Sequence, residues 1–281
     1  MNSNHFEQFE SAIRRHVGGG DLGNFELARH GKFVTYYAPF DAINAAAKVV
    51  LVGITPGITQ AQNALVAARR ALEAKVATEG ALLAGKRTGA FSGPLRANLV
   101  DLLDRIELNA ALGIASCGSL FDTFAYLLHT TSVLPFPVLK DGANYDGKPF
   151  PLDVPFLAEQ VERHFVPQVR ILRDAVFVPL GPVPAAVLKS LSQRGLLDER
   201  RVLDGLPHPS PANRERIDYF MGRKPKERLS VKTNPESLDR ALARLLAATY
   251  AHRSGGNAAS ESASISRFSS LPGAKSSGSL S

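Results

Sequence analysis

Two short stretches carry the residue types that could do chemistry in this chain. Gly53-Ile54-Thr55-Pro56-Gly57 sets a hydroxyl among residues that fix or free the backbone, and His208-Pro209-Ser210-Pro211 sets an imidazole and a second hydroxyl among prolines. With Pro207, three prolines in five residues leave few backbone donors and hold the His208 ring in a set direction. The chemistry this favours is that of a ligand gripped at a rigid edge beside one fixed imidazole. Other chemistries lack their residues. Cys117 stands alone, which excludes a disulfide framework and any four-cysteine zinc or iron–sulfur site built by one chain, and SCGSLF around it reads as a buried thiol. Ser210 lacks the G-x-S-x-G elbow of a serine hydrolase.

The elements that must position these loops are legible from pattern. Val49–Val52 is a continuous β-branched and apolar run too short for a helix and stopped by Gly53, so it reads as a central strand buried on both faces. Thr55-Pro56-Gly57 is a sharp turn, and Thr59 with Gln62 forms a capping box for a helix expected to run from Ala61 to about Leu83. A buried strand, a Gly/Pro turn and a helix start form a binding edge of an open α/β sheet. Leu95, Leu99, Leu102, Leu103 and Ile106 predict an amphipathic helix, Phe33–Tyr37 a strand, and Ala125–Leu128 another strand that runs into His129-Thr130-Thr131-Ser132 and then a Pro-rich turn. Helix follows at Val154–Leu172, interrupted at Pro167; then come strand Ala175–Leu180, helix Pro182–Leu191, strand Val202–Leu206 leading into the proline loop, and helix Ser237–Tyr250.

Residues 1–32 read as an N-terminal helical extension with Phe6, Phe9, Ile13 and Val17 on one face, residues 33–252 as one α/β domain, and residues 253–281, rich in Ser, Gly and Ala, as a disordered tail. At 281 residues and 44% hydrophobic, one large core suffices and two are not required. No apolar run approaches the ~20 residues of a membrane span and the polar N-terminus has no signal core, so a reducing cytoplasm, without membrane contact, is expected. The formal charge of +7 favours a polyanionic partner, and Ala212–Lys232 concentrates it, with seven Lys and Arg against three Asp and Glu. A charge run of this kind is also what a solvated face looks like.

The two loops, in this order and each directly after a short buried strand, carry a resemblance. The chain resembles the uracil-DNA glycosylase superfamily, in which a G-x-x-P-G-type motif after the first core strand and an H-P-S-P-type motif after the last form the two halves of the active site. AFSGPLRANLVDLL is similar to the loop and helix that bring an aromatic over the flipped base, and VFVPLGPVPAAVLKSL to the penultimate strand and helix; the likeness spans roughly Lys48–Phe220. HPSPAN is closest to the single-strand-selective branch, GITPG to the mismatch-specific branch and the middle to the iron–sulfur branch, without that branch's cysteines.

The resemblance implies a three-layer α/β sandwich with a central, mostly parallel sheet, no metal and no cofactor, acting as a monomer on nucleoid DNA to remove uracil or a related deaminated base. It assigns His208 as donor to the departing base, Thr55 as water positioner, Phe91 as the stacking ring, and Gly53, Thr131, Pro56 and Gly57 to base and backbone approach. Pro209, Ser210, Pro211, Asn213, Arg214 and Arg216 would meet phosphates, with Arg223, Lys224 and Lys226 behind them. Phe91 could equally fold back on the core.

Three positions depart from the pattern. Thr55 stands where most members carry Asp, Asn or Glu, and a hydroxyl can orient a water but cannot act as a general base near neutral pH. Thr130, Thr131 or Ser132 stands where a base-reading Asn is expected, and Ala212 where a wedge side chain would fill the gap left by the flipped base. Asn144 or Asp41 could replace a missing polar group. A DNA-binding module with a degenerate pocket is the alternative, and an unrelated hydrolase would need a carboxylate beside His208.

Overall fold

The structure, a computed structural model, describes residues 4–19, 21–89 and 94–268, of which residues 4, 94 and 254–268 are described as backbone only. At its centre is β3 (Val49–Gly53), flanked in parallel by β4 (Leu128–Ser132) and β7 (Val176–Pro179) in the order β4-β3-β7. Val49, Val50, Leu51 and Val52 are all fully buried, as expected of a strand covered on both faces. Val50, Val52 and Phe177 pack against α6 (Pro155–Gln160), α7 (Val166–Ile171) and α8 (Pro182–Gln193) through Leu157, Val169, Val187 and Leu191. Val49, Leu51 and Val178 face the opposite layer, formed by Leu99, Leu102 and Leu103 of α4 (Pro94–Arg105) and Ile217 and Phe220 of α9 (Arg214–Phe220). The fold is therefore α/β, with a parallel sheet between two helical layers.

A second body of structure leans on this one. β1 (Glu26–His30), β2 (Phe33–Tyr36), β5 (Val138–Lys140) and β6 (Ala143–Asn144) form an antiparallel sheet in the order β1-β2-β5-β6. With α1 (Asn4–Arg15), α2 (Ile58–Glu73) and α3 (Thr78–Gly89) it encloses Phe6, Ile13, Phe25, Tyr37, Leu65 and Ala68. The buried residues fall into three clusters, two of them on the two faces of the parallel sheet and the third within this second body. Within residues 1–32 the expected helix is present, with Phe6 and Ile13 fully buried, but it ends before the exposed Val17, and β1 follows it as part of the sheet.

Other boundaries differ for identifiable reasons. The helix expected from Ala61 to Leu83 is two helices, broken at Lys75, whose φ of +58° turns the chain back so that α3 lies along α2. The strand expected at Ala125–Leu128 lies later, with Thr130, Thr131 and Ser132 in β4, because Leu51, Val52 and Gly53 supply a parallel pairing partner to each. Val202–Leu206 keeps only a single parallel bridge, Phe177 to Val202, of the strand expected there. Ahead of Pro167 the helix loosens into a π-helical turn at Val161–Phe165. The last helix, α10 (Pro235–Phe268), continues past Arg253, where composition suggested disorder; extending a nucleated helix through Ala- and Ser-rich sequence is far easier than starting one. Residues 269–281 of that tail lie outside the described residues. Among the described residues no helix is long and apolar enough to cross a membrane.

Candidate active site at the end of the parallel sheet

The C-terminal ends of β3 and β4 open onto a pocket of about 220 Å³. Its floor is Gly53 to Pro56 and Thr130 to Ser132, and its walls are Phe40, Gln60, Gly89, Tyr145, Leu180 and His208. Gly53, Thr55, Pro56, Thr131 and His208, far apart in sequence and each expected at the site, therefore line one cavity. Its volume falls below the range of about 300–1,000 Å³ common for small-molecule sites, so it suits a small ligand.

His208 is held from behind. Ser210 donates its backbone N–H to His208 Nδ1 at 3.2 Å, which makes Nδ1 the acceptor and puts the proton of the neutral ring on Nε2. Nε2 meets no hydrogen-bond partner among the described residues, and burial lowers the pKa of the ring, favouring the neutral form. The loop carrying it is clamped by Asn98 of α4, whose Nδ2 donates to the carbonyl of Pro209 at 2.9 Å. Opposite the ring, Gly181 has φ +108°, and a Cβ there would lie 3.5 Å from His208 Cδ2. That backbone conformation, more than lack of space, calls for glycine.

The two threonines are less available. Thr55 Oγ1 donates to the carbonyl of Phe136 at 2.9 Å and accepts the N–H of Val138 at 3.0 Å, so its proton is spent on tying β3 to the start of β5. Thr131 Oγ1 donates to Gln168 Oε1 at 2.9 Å. Gln168 is itself fixed, its Nε2 donating to the carbonyl of His164 at 2.8 Å, and its Oε1 also receives the ring N–H of buried His129 at 3.0 Å. Asn44 N–H at 3.4 Å from His129 Nδ1 completes that tautomer, and desolvation pushes the His129 pKa well down. Thr131, which lines the pocket, is therefore left able only to accept through Oγ1.

Gln60, Phe40 and Tyr145 were not singled out from sequence. α2 starts two residues earlier than Thr59 would have it: Gly57, with φ −79° and ψ 167°, is its N-cap, and Gln60 is its third residue. Gln60 Oε1 accepts the Gly57 N–H at 2.9 Å and Asn144 Oδ1 accepts the Ile58 N–H at 2.9 Å, so both leading donors of this helix are taken by side chains. Asn144 is thus a cap on α2, not a group in the pocket. Placing the cap at Gly57 would have found Gln60.

Phe40 is positioned by α3. Gly85 and Gly89 lie so close to Pro39 and Phe40 that a Cβ would come within 2.5 Å and 2.7 Å of their side chains. Between them Lys86, only 6% exposed, donates through Nζ to the carbonyl of Phe40 at 3.0 Å and to that of Ala42. Desolvation lowers the Lys86 pKa to about 7, against the pull of nearby Asp41, whose own pKa burial raises. Asp41 accepts the Tyr37 hydroxyl at 3.3 Å and does not line the pocket. Phe91 lies outside the described residues.

The expected phosphate-binding residues are engaged internally. Ser210 Oγ accepts the Ala212 N–H at 3.4 Å and caps the short turn Pro211–Asn213. Arg214 pairs with Asp218 at 2.8 Å, Arg223 with Asp101 at 2.6 Å, Lys224 with Glu215 at 2.7 Å and Lys226 with Glu236 at 2.6 Å. Arg216 donates to the carbonyl of Lys232 at 3.0 Å. Four of the seven cations of the basic run thus sit in surface ion pairs, each worth little energetically.

Over 221 residues the chain is 33% identical to YoxB of Bacillus subtilis (strain 168), an alignment that covers 78% of this chain and 86% of YoxB. The chain belongs to the same family as YoxB. That relative is described only as an uncharacterized protein, so the kinship assigns no activity. No family model matches the chain, and no solved structure matches it.

Proposed function

We propose that this protein is a DNA glycosylase on a uracil-DNA glycosylase-like fold, hydrolysing the N-glycosidic bond of uracil or a related deaminated base. The observation that carries the reading is His208, which lines the cavity floored by Gly53 to Pro56 and whose Nε2–H meets no partner among the described residues. Extruded from the stack, the base would enter the pocket, and its bond to C1′ would break with the electron pair leaving on the base. His208 donates to that developing anion. A donor so placed is worth about 3–4 kcal/mol. Water then adds to C1′ and releases its proton to solvent. The reading carries with it DNA as partner, action as a monomer and a cytoplasmic, nucleoid-associated location.

A second reading has a specific observation in its favour. The Thr55 proton is committed to Phe136, and no carboxylate lines the pocket among the described residues, so no side chain there is suited to activate water. A module that holds DNA on this fold without cleaving it follows from that.

Single-turnover assays on oligonucleotides carrying uracil, hypoxanthine, xanthine or a thymine mismatch separate the two. Abasic sites made by the parent, and slowed about 10²–10³-fold in His208→Ala, support the glycosylase. Salt-sensitive binding by both proteins with no abasic product on any substrate supports the binding module.

A further inference from the structure

Beyond His208, the Gln60 and Thr131 side chains that line the pocket have fixed hydrogen-bonding directions. The Gln60 amide has one possible orientation, because the Gly57 N–H requires an acceptor and takes Oε1. Nε2, a donor, is therefore the end without a partner among the described residues, in a residue that lines the pocket. Thr131 Oγ1 has spent its proton on Gln168 Oε1 and can only accept. The carbonyls of Gly53 and Ile54 on the floor already accept the N–H groups of Val133 at 2.9 Å and Leu134 at 3.0 Å. Three lining residues thus have a side-chain polarity fixed by internal hydrogen bonds: Gln60 Nε2 and His208 Nε2 as donors and Thr131 Oγ1 as an acceptor.

We propose that Gln60 is a specificity-determining residue that selects a lactam or imide edge, a ring carbonyl beside a ring N–H, through its Nε2–H with Thr131 as the matching acceptor. This deepens the glycosylase reading and rests on it for the substrate, but not for the recognition, which a binding module could share. Uracil and hypoxanthine offer such an edge. Cytosine and adenine present an amino group where a carbonyl would stand and a lone pair where an N–H would stand, which leaves the Thr131 oxygen without a donor and sets an amine against an amide. The amide that the sequence lacks at the end of β4 is supplied, on this assignment, from the first turn of α2.

The test uses the full chain and bases methylated at the nitrogen that bears the sugar in DNA, so that recognition is read apart from cleavage and no N–H absent from DNA is offered. NMR titrations with 1-methyluracil, 9-methylhypoxanthine, 1-methylcytosine and 9-methyladenine are made on the parent and on Gln60→Glu. The variant keeps an acceptor for Gly57 N–H, and Glu is favoured at this helix position, so the start of α2 is preserved; a thermal melt checks it. The expected result is that the parent binds the two lactam bases about 10-fold or more tighter than the amino bases, with the Gln60 side-chain amide resonance shifting on titration. Gln60→Glu should remove or invert that preference.

Lactam preference unchanged in Gln60→Glu overturns the assignment while leaving the glycosylase reading intact. A parent that binds no base, or all bases alike, also overturns it; abasic sites made by that same parent would show that the glycosylase reading survives, and their absence that both fail. Should Gln60→Glu not fold, an unshifted Gln60 amide resonance in the parent saturated with 1-methyluracil overturns the assignment by itself.

Discussion

Thr55 Oγ1 and the Phe136 carbonyl, 2.9 Å apart, join the end of the central parallel strand to the entrance of the antiparallel sheet. The same oxygen accepts the Val138 N–H, so one hydroxyl satisfies two backbone groups of the neighbouring segment. Thr55→Val keeps the shape and removes both bonds. The expected loss is about 1–3 kcal/mol of stability for leaving these groups unpaired, with Thr55→Ser recovering most of it. Urea unfolding with an unchanged m-value measures it; a variant as stable as the parent would assign Thr55 to the pocket alone.

The buried Lys86 predicts a pH dependence of known sign. Its folded pKa, about 7, lies below its unfolded value, so between these limits the unfolded chain binds the extra proton and stability rises with pH. The stability is fully present above the unfolded pKa and is lost as pH falls through about 7. The slope cannot exceed about 1.4 kcal/mol per pH unit for one proton. Asp41 opposes the shift, and His129 feels the Lys86 charge, so neither should be altered in the comparison. Lys86→Met should flatten the curve above pH 7 in unfolding experiments at fixed ionic strength.

His208 should report its own tautomer. Two-bond proton–nitrogen spectra at pH 7 are expected to show Nε2 protonated and Nδ1 bare, and the ring should titrate below its ordinary value. Acid that protonates Nδ1 breaks the bond from the Ser210 N–H, so the stability this loop contributes is lost as pH falls through that depressed pKa. A ring titrating at or above 6.5 would contradict the buried acceptor role.

The paired basic face makes a prediction about salt. A lysine or arginine in contact with phosphate steepens the salt dependence of DNA binding, by close to one unit of slope for each. Arg214→Ala and Lys226→Ala remove cations already paired with Asp218 and Glu236 and should leave the slope of log affinity against log salt unchanged. A fall of about one unit for either would show that it exchanges its carboxylate for phosphate.

What could be read beforehand follows where local pattern and tertiary demand agree. β3 was legible because burial on both faces writes an unbroken apolar run, and α4 because one buried face writes Leu99, Leu102, Leu103 and Ile106 at helical spacing. β4 was placed too early because its far end lines a pocket and carries Thr130, Thr131 and Ser132, which look like loop. The antiparallel sheet pairs Phe33 with Lys140 across more than a hundred residues, which no local window contains. Gly85 and Gly89 are poor helix formers by propensity, yet α3 needs them to reach Pro39 and Phe40. The site was half legible. Its two loops were found, and Gln60 was missed through a cap placed two residues late.

The pocket draws its walls from all three buried clusters: Phe40 belongs to one, Tyr145 to the second and Leu180 to the third. Anything bound there acts as a keystone. It touches parts of the protein that could otherwise loosen separately, so its binding energy must appear as resistance to opening of whichever part is weakest. Amides of α1 to α3 and of the antiparallel sheet, distant from any ligand, would then exchange their hydrogens more slowly when the cavity is filled.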